Sequence, residues 1–187
     1  MTPPSTETRA HLEACIRMCD DAADTGDASA LLAALRQSVI VLKVFGAPLS
    51  MVRKSLKRDI EQARKGTVDG ARVARVLAPR GGATPDARAA WERLKHAMEF
   101  AMLLLKSLAS GDAAGEPAKL VASAFDTVYA ATATKAQLQA CRATFRMLPT
   151  REVLFKKIAG GDTRAMLRAW AVAMEPLHLT LLLGAMA

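Results

Sequence analysis

Aromatic side chains make up only 4% of this 187-residue chain: five Phe, two Trp and one Tyr. An interior with so few rings must be filled by Leu, Ala, Val and Met, a composition that suits a deformable core. Cysteine is as scarce. Three thiols are an odd number and argue against a disulfide framework. Cys15 and Cys19 lie one helical turn apart, with His11 on the same face, but no fourth metal ligand accompanies them. Buried thiols acting as small hydrophobes are the expectation there. The three histidines, at positions 11, 96 and 178, fall in separate segments. No stretch alternates with a strand period, so no Gly-rich phosphate loop can follow a strand, and Gly81-Gly82 reads as loop punctuation. We therefore expect no enzyme: no catalytic residue, no metal and no cofactor. No apolar run reaches about 18 residues, which predicts no bilayer-spanning helix. Residues 1–8 are polar, carry Pro3 and Pro4, and lack the apolar stretch of roughly 7–15 residues that a secretory signal needs. They are expected to be flexible, and the address to be cytoplasmic.

What is present is a helix period. Apolar residues make up 51% of the chain, enough for a sizeable core, and residues 1–187 form one domain. Spacing of about 3.6 residues recurs throughout and predicts an all-α chain of about eight helices. They are expected near residues 7–23, 29–45, 49–65, 70–77, 85–109, 118–147, 153–158 and 162–174. The sixth is bent near Thr132 to Thr134, and Pro176 kinks or breaks the last before residues 177–186. Thr84 with Pro85 is an N-cap followed by the first helical position. Gly46 and Pro48 interrupt the chain between the second and third helices, and Gly160-Gly161 closes the seventh. No coiled-coil heptads appear, so a monomer is expected.

The fifth helix carries a functional pattern. Arg93, His96, Phe100 and Leu103 share one face, as do Arg93, Ala97, Phe100 and Leu104. A cationic end therefore sits above an apolar stripe, the same order as in an amphiphile. On the third helix Val52, Ser55, Asp59 and Gln62 form a matching face, where Ser55 can donate and accept and Asp59 can accept from an amide, a hydroxyl or Arg93. Ordinary solvated charges would give the same spacing.

Four segments add to this. The run Leu148-Pro149-Thr150-Arg151-Glu152-Val153 resembles the helix-ending Leu-Pro-Thr-Arg run of the glycolipid transfer protein superfamily, in its ceramide-1-phosphate transfer branch. Gly46 matches the Gly of a Leu-Gly turn before the family's head-group helix. Arg93-Leu94-Lys95-His96 is similar to the family's Arg-Leu-x-Arg pattern, with His96 in the second Arg place. Ala124-Phe125-Asp126 is similar to Ala-Tyr-Glu. The resemblance extends from about residue 41 to residue 161. It implies a two-layer all-α sandwich that opens to admit lipid chains, and a protein that carries one sphingolipid-like lipid, ceramide-1-phosphate favoured, between membranes. Arg93, His96, Asp59 and Ser55 are then the head-group candidates, with Lys54, Arg58 and Lys95 as auxiliary cations. Phe45, Leu49, Val52, Phe100, Leu104, Phe125, Phe145 and Leu148 are the candidate pocket lining.

The chain also departs from the family. Counted from Gly46, the family's Asp falls on Ser55 and its following Lys on Asp59. Counted back from Pro149, its His falls on Ala133 and the following Trp on Lys135. Trp91 lies two residues before the glycolipid branch's stacking Trp. A lipid-free helical adaptor, or a carrier of another lipid, is the alternative these departures leave open. The formal charge of +8 favours an anionic partner. The run Arg53-Lys54-x-x-Lys57-Arg58, followed by Arg64-Lys65, is expected to touch an anionic membrane transiently. Nucleic acid is not expected, because no recognised motif is present and the run holds no stacking aromatic.

Overall fold

The computed structural model describes residues 4–68, 70–78, 83–110, 116–158 and 162–186. These contain nine α-helices: α1 (Pro4–Thr25), α2 (Ala28–Val41), α3 (Ser50–Lys65), α4 (Val73–Leu77), α5 (Pro85–Ala109), α6 (Pro117–Tyr129), α7 (Lys135–Phe145), α8 (Arg151–Ile158) and α9 (Thr163–Met186). Two short 3₁₀ turns, Leu42–Phe45 and Ala47–Leu49, join α2 to α3. Among the described residues there is no strand, only an isolated bridge between Asp27 and Arg72. α1 and α2 pack together on one side, and α3, α5 and α6 on the other. α9 touches both α1 and α5 and so joins the two layers.

Capping chemistry explains most of the boundaries. Asp27 accepts from the backbone N–H groups of Ser29 and Ala30 at 2.6 and 2.9 Å and starts α2. Thr84 accepts from Ala87 N at 3.3 Å and starts α5 with Pro85 behind it. The core has few aromatics, but Trp91 and Trp170 are among its largest fully buried side chains.

Several expectations are corrected. The segment expected as one bent helix over 118–147 is two helices. Thr134 and Gln137 form a reciprocal capping box that starts α7 afresh, after the chain turns at Tyr129. α2 ends at Val41, four residues before the expected stop, and tightens into 3₁₀ geometry. α4 begins at Val73, not at Gly70, and α8 begins at Arg151. α1 begins at Pro4, within the segment 1–8 whose flexibility stays an expectation. Pro176 neither breaks nor ends α9, because buried Trp170, Met174, Leu177 and Leu181 hold the helix on both sides of it. The turns at Pro79, Gly81-Gly82 and Gly160-Gly161 lie outside the described residues.

The expectation about membrane spans is also revised. Ala28–Phe45 and Thr163–Leu183 reach mean hydropathies of 1.6 and 1.2, long and apolar enough to cross a bilayer by length and composition. Charges such as Arg36 and Arg168 interrupt both runs, which is why a count of uninterrupted residues passes them over. In the fold Leu31, Leu35, Val39, Leu167, Trp170 and Leu181 turn these segments into the core.

The His11–Cys15–Cys19 face holds no metal cluster among the described residues. Cys15 lies 3.1 Å from Ser38 Oγ, and Cys15 and Cys19 are both buried. The Cys19 thiol is pushed up by its hydrogen bond to Cys15 and by burial. His11 is taken up by Gln37 at 2.9 Å.

Candidate functional site

α3 and α5 cross so that Asp59 meets Arg93. Arg93 Nε donates to Asp59 Oδ1 at 2.9 Å. The Asp59 side chain is only 6% exposed, while Arg93 is 45% exposed, so the pair has a buried acid and a half-open cation. Arg58 joins from the same helix as the acid, its Nε 3.7 Å from Asp59 Oδ1. Ser55 lies between them: its hydroxyl donates to Asp59 Oδ2 at 3.4 Å and accepts from Arg58 Nη2 at 3.2 Å. The spacing of four residues places Ser55 one turn from Asp59 on the same face.

Below this polar group lies an apolar seam. Residues Val52 and Leu56 of α3, Ala97, Phe100, Ala101 and Leu104 of α5, Leu35 of α2, Phe45, and Trp170 and Met174 of α9 surround a cavity of about 30 Å³. On α5, Ala97, Ala101 and Leu104 descend from Arg93 in steps of three or four residues, so charged mouth and apolar slot share one side of one helix. The cavity has room for no more than a few waters. It cannot hold an acyl chain unless the layers part.

Of the expected lining, Phe45, Val52, Phe100 and Leu104 surround the cavity. Leu49, Phe125, Phe145 and Leu148 stand outside it. Leu49 is fully buried elsewhere in the core. Phe125 is stacked between Phe100 (6.1 Å, edge-on), Tyr129 (4.7 Å) and Phe145 (5.4 Å) in an aromatic cluster behind α5. Leu148 is half-buried at the end of the turn after α7. The sequence reading passed over Trp170 and Met174, because α9 offers no polar marker beside them.

The cations divide. Arg58 is at the mouth. Lys95 is bound to Glu92, with its side chain 15% exposed. It lies about 200° round α5 from Arg93, so the structure does not bring it to the site. Lys54 lies about 140° round α3 from Asp59, on the solvent side. His96 sits one turn from Arg93 but faces α6, its ring 6.4 Å from that of Tyr129 and its Nδ1 3.9 Å from Glu99. Tyr129, the only tyrosine in the chain, was not expected here. Burial, with the charges of Asp59 and Glu99, pushes its hydroxyl up to about 12, so it remains a neutral hydrogen-bonding group.

The Leu-Pro-Thr-Arg run is structural. Arg151 Nη2 donates to the carbonyls of Ser107 and Leu108 at 3.3 and 3.2 Å, satisfying the last turn of α5. Its guanidinium also lies 5.6 Å from the Phe155 ring centre.

No protein-family model matches the sequence, and no curated protein matches it by sequence. Solved structures do match. The accelerated-cell-death 11 protein of Arabidopsis, crystallised as an aspartate-to-asparagine variant with C12 ceramide-1-phosphate, superposes with a TM-score of 0.76. It is 11% identical, and the match covers 91% of this chain and 92% of that one. Human ceramide-1-phosphate transfer protein, in complex with 12:0 ceramide-1-phosphate, gives 0.75 at 17% identity over 90% and 91%. The fungal glycolipid transfer protein HET-C2 gives 0.64 at 19% identity over 83% and 82%. The chain therefore has the all-α fold of the glycolipid and ceramide-1-phosphate transfer proteins.

Proposed function

We propose that this protein carries one sphingolipid-like lipid, a phosphosphingolipid, between membranes, and that it is not an enzyme. The observation that carries the reading is the position of the Arg93–Asp59 pair, with Arg58 and Ser55, directly above a seam walled by apolar side chains. Arg93 and Arg58 supply donors for a phosphate, and Asp59 supplies an acceptor for a sphingoid amide or hydroxyl. The apolar seam takes the chains. Burying hydrocarbon is worth about 0.8 kcal/mol per CH₂ in water, but a bilayer offers the same environment, so chain burial nearly cancels between membrane and protein. Selection then falls to the head group, where each charge-assisted hydrogen bond contributes about 1.5–3 kcal/mol. The fold shared with lipid transfer proteins supports the same reading. We further propose that the protein acts as a monomer at the cytoplasmic surface of anionic membranes, through the basic outer face of α3.

The direct test is to incubate the protein with mixed-lipid vesicles, repurify it and identify bound lipid by mass spectrometry. A single bound sphingolipid per chain is expected. The second reading, a lipid-free helical adaptor, draws on the small volume of the cavity; recovery of lipid-free protein from every vesicle composition would establish it.

A further inference from the structure

The mouth opens into a groove larger than a phosphate needs. It begins at Arg58, runs along α3 past Glu61, Gln62 and Lys65 to Gly66, and is bordered by Asp86 of α5 and its N-cap Thr84; the groove is open to solvent, with a volume of about 390 Å³. By liquid volume that is room for about a dozen waters, far more than phosphate oxygens displace. Arg93 and Asp86 are seven residues apart, so they share one side of α5 about 10 Å from each other. The far end is rigidly set: Gly66 approaches α5 so closely that a Cβ there would meet Ala87 Cβ and Thr84 Oγ1 at 2.5 Å.

The charges along this groove are unevenly matched. At the mouth two guanidiniums, Arg58 and Arg93, face one carboxylate, Asp59, leaving one positive charge in surplus. Glu61 is engaged by Arg64 through two hydrogen bonds of 3.0 and 3.3 Å. At the far end the Lys65 and Asp86 charges cancel, and Gln62 adds a donor and an acceptor. A phosphomonoester carries about −1.5 to −2 at neutral pH and exceeds the surplus. A phosphodiester carries a single negative charge and matches it.

We propose that the preferred head group is a phosphodiester whose second ester arm is an uncharged, hydroxyl-bearing group lying in the α3–α5 groove, in preference to a phosphomonoester. This rests on the carrier reading above and specifies its ligand. The phosphate takes Arg93 and Arg58; the hydroxyls exchange hydrogen bonds with Gln62, Asp86 and Lys65.

The test presents the full chain with vesicles holding equal amounts of three lipids on one ceramide: the phosphomonoester, its methyl diester and its inositol diester. Bound lipid is quantified by mass spectrometry after repurification. The inositol diester should exceed the monoester on the order of tenfold, the factor for about 1.4 kcal/mol, with the methyl diester between them. Gln62→Leu, which changes no charge, should bring the inositol diester down toward the methyl diester and leave the methyl-to-monoester ratio unmoved. Asp59→Asn, which adds one positive charge to the surplus, should shift selection toward the monoester. Melting curves establish that each variant folds, and the wild-type ratios decide the matter if one does not. A monoester bound as well as or better than the inositol diester overturns the groove assignment while the carrier reading stands. Protein that retains no lipid of any kind overturns the carrier reading and this inference with it.

Discussion

The Arg93–Asp59 pair allows its structural and functional roles to be measured separately. Replacing Arg93 with Leu removes a charged hydrogen bond of 2.9 Å from a nearly buried carboxylate. Such a bond contributes about 1.5–3 kcal/mol. Arg93 is half-exposed, so solvent already screens part of this, and Arg58 at 3.7 Å takes up some of what is lost. The expected cost is about 1–2 kcal/mol, a fall in Tm of roughly 2–8 °C for a chain of this size. Paired with Asp59→Asn in a double-mutant cycle, the coupling should be about 1 kcal/mol. Transfer of a labelled phosphosphingolipid between vesicles should fall far more, by roughly tenfold to a hundredfold, because the lipid phosphate loses a charge-assisted contact. Urea melts give the first quantity and a fluorescence transfer assay the second. A coupling indistinguishable from zero, with transfer unchanged in a folded Arg93→Leu protein, would refute both the pair's contribution and its place in the site.

Other outcomes follow from individual contacts. Ala101→Phe should fill the cavity below the mouth and block lipid uptake with a stability change within about 1–3 kcal/mol; unimpaired uptake would show that chains lie elsewhere. Trp170 lines the cavity whereas Trp91 is bonded to Thr67, so in a Trp91→Phe protein the emission of the single remaining Trp should shift on lipid loading. Gly46 holds φ 75° and ψ −155°, a region essentially restricted to glycine, so Gly46→Ala should cost about 1–3 kcal/mol in denaturant melts. Tyr129, the one tyrosine, should ionise near 12 by phenolate absorbance. Its raised folded value means that its contribution is intact below the unfolded value of about 10 and is lost as pH climbs from there through 12. Ionisation at the ordinary value would place the hydroxyl in open water.

The helices were legible in the sequence because their apolar period, the cap at Thr84 and the break at Gly46 and Pro48 are local signals. So was the mouth: Arg93 and Asp59 lie on faces that spacing alone could align, although only packing reveals that Asp59 is buried and Ser55 is exposed. Three features were not legible, each for its own reason. The break after Tyr129 rests on Thr134 and Gln137, whose capping box is outweighed in a pattern reading by helix-favouring neighbours. The passage of α9 through Pro176 depends on burial on both sides of the proline, which is tertiary. Trp170 and Met174 reach the cavity from a helix far along the chain, and Tyr129 enters from α6 to face an acid on α3. No periodicity within one segment can announce such meetings. The Leu-Pro-Thr-Arg run gave a useful family likeness, yet its arginine proves to hold the end of α5.

For the carrier proposed above, a cavity with room for only a few waters has a consequence for its empty state. A protein that rested open would expose its greasy lining between journeys and stick to membranes or to its own copies. One that rests shut diffuses as an ordinary soluble body and opens only where hydrocarbon is at hand to fill the gap. Cargo entry and door opening then become a single event, and the rate of pickup is set by the parting of helices against a membrane surface, not by diffusion through water.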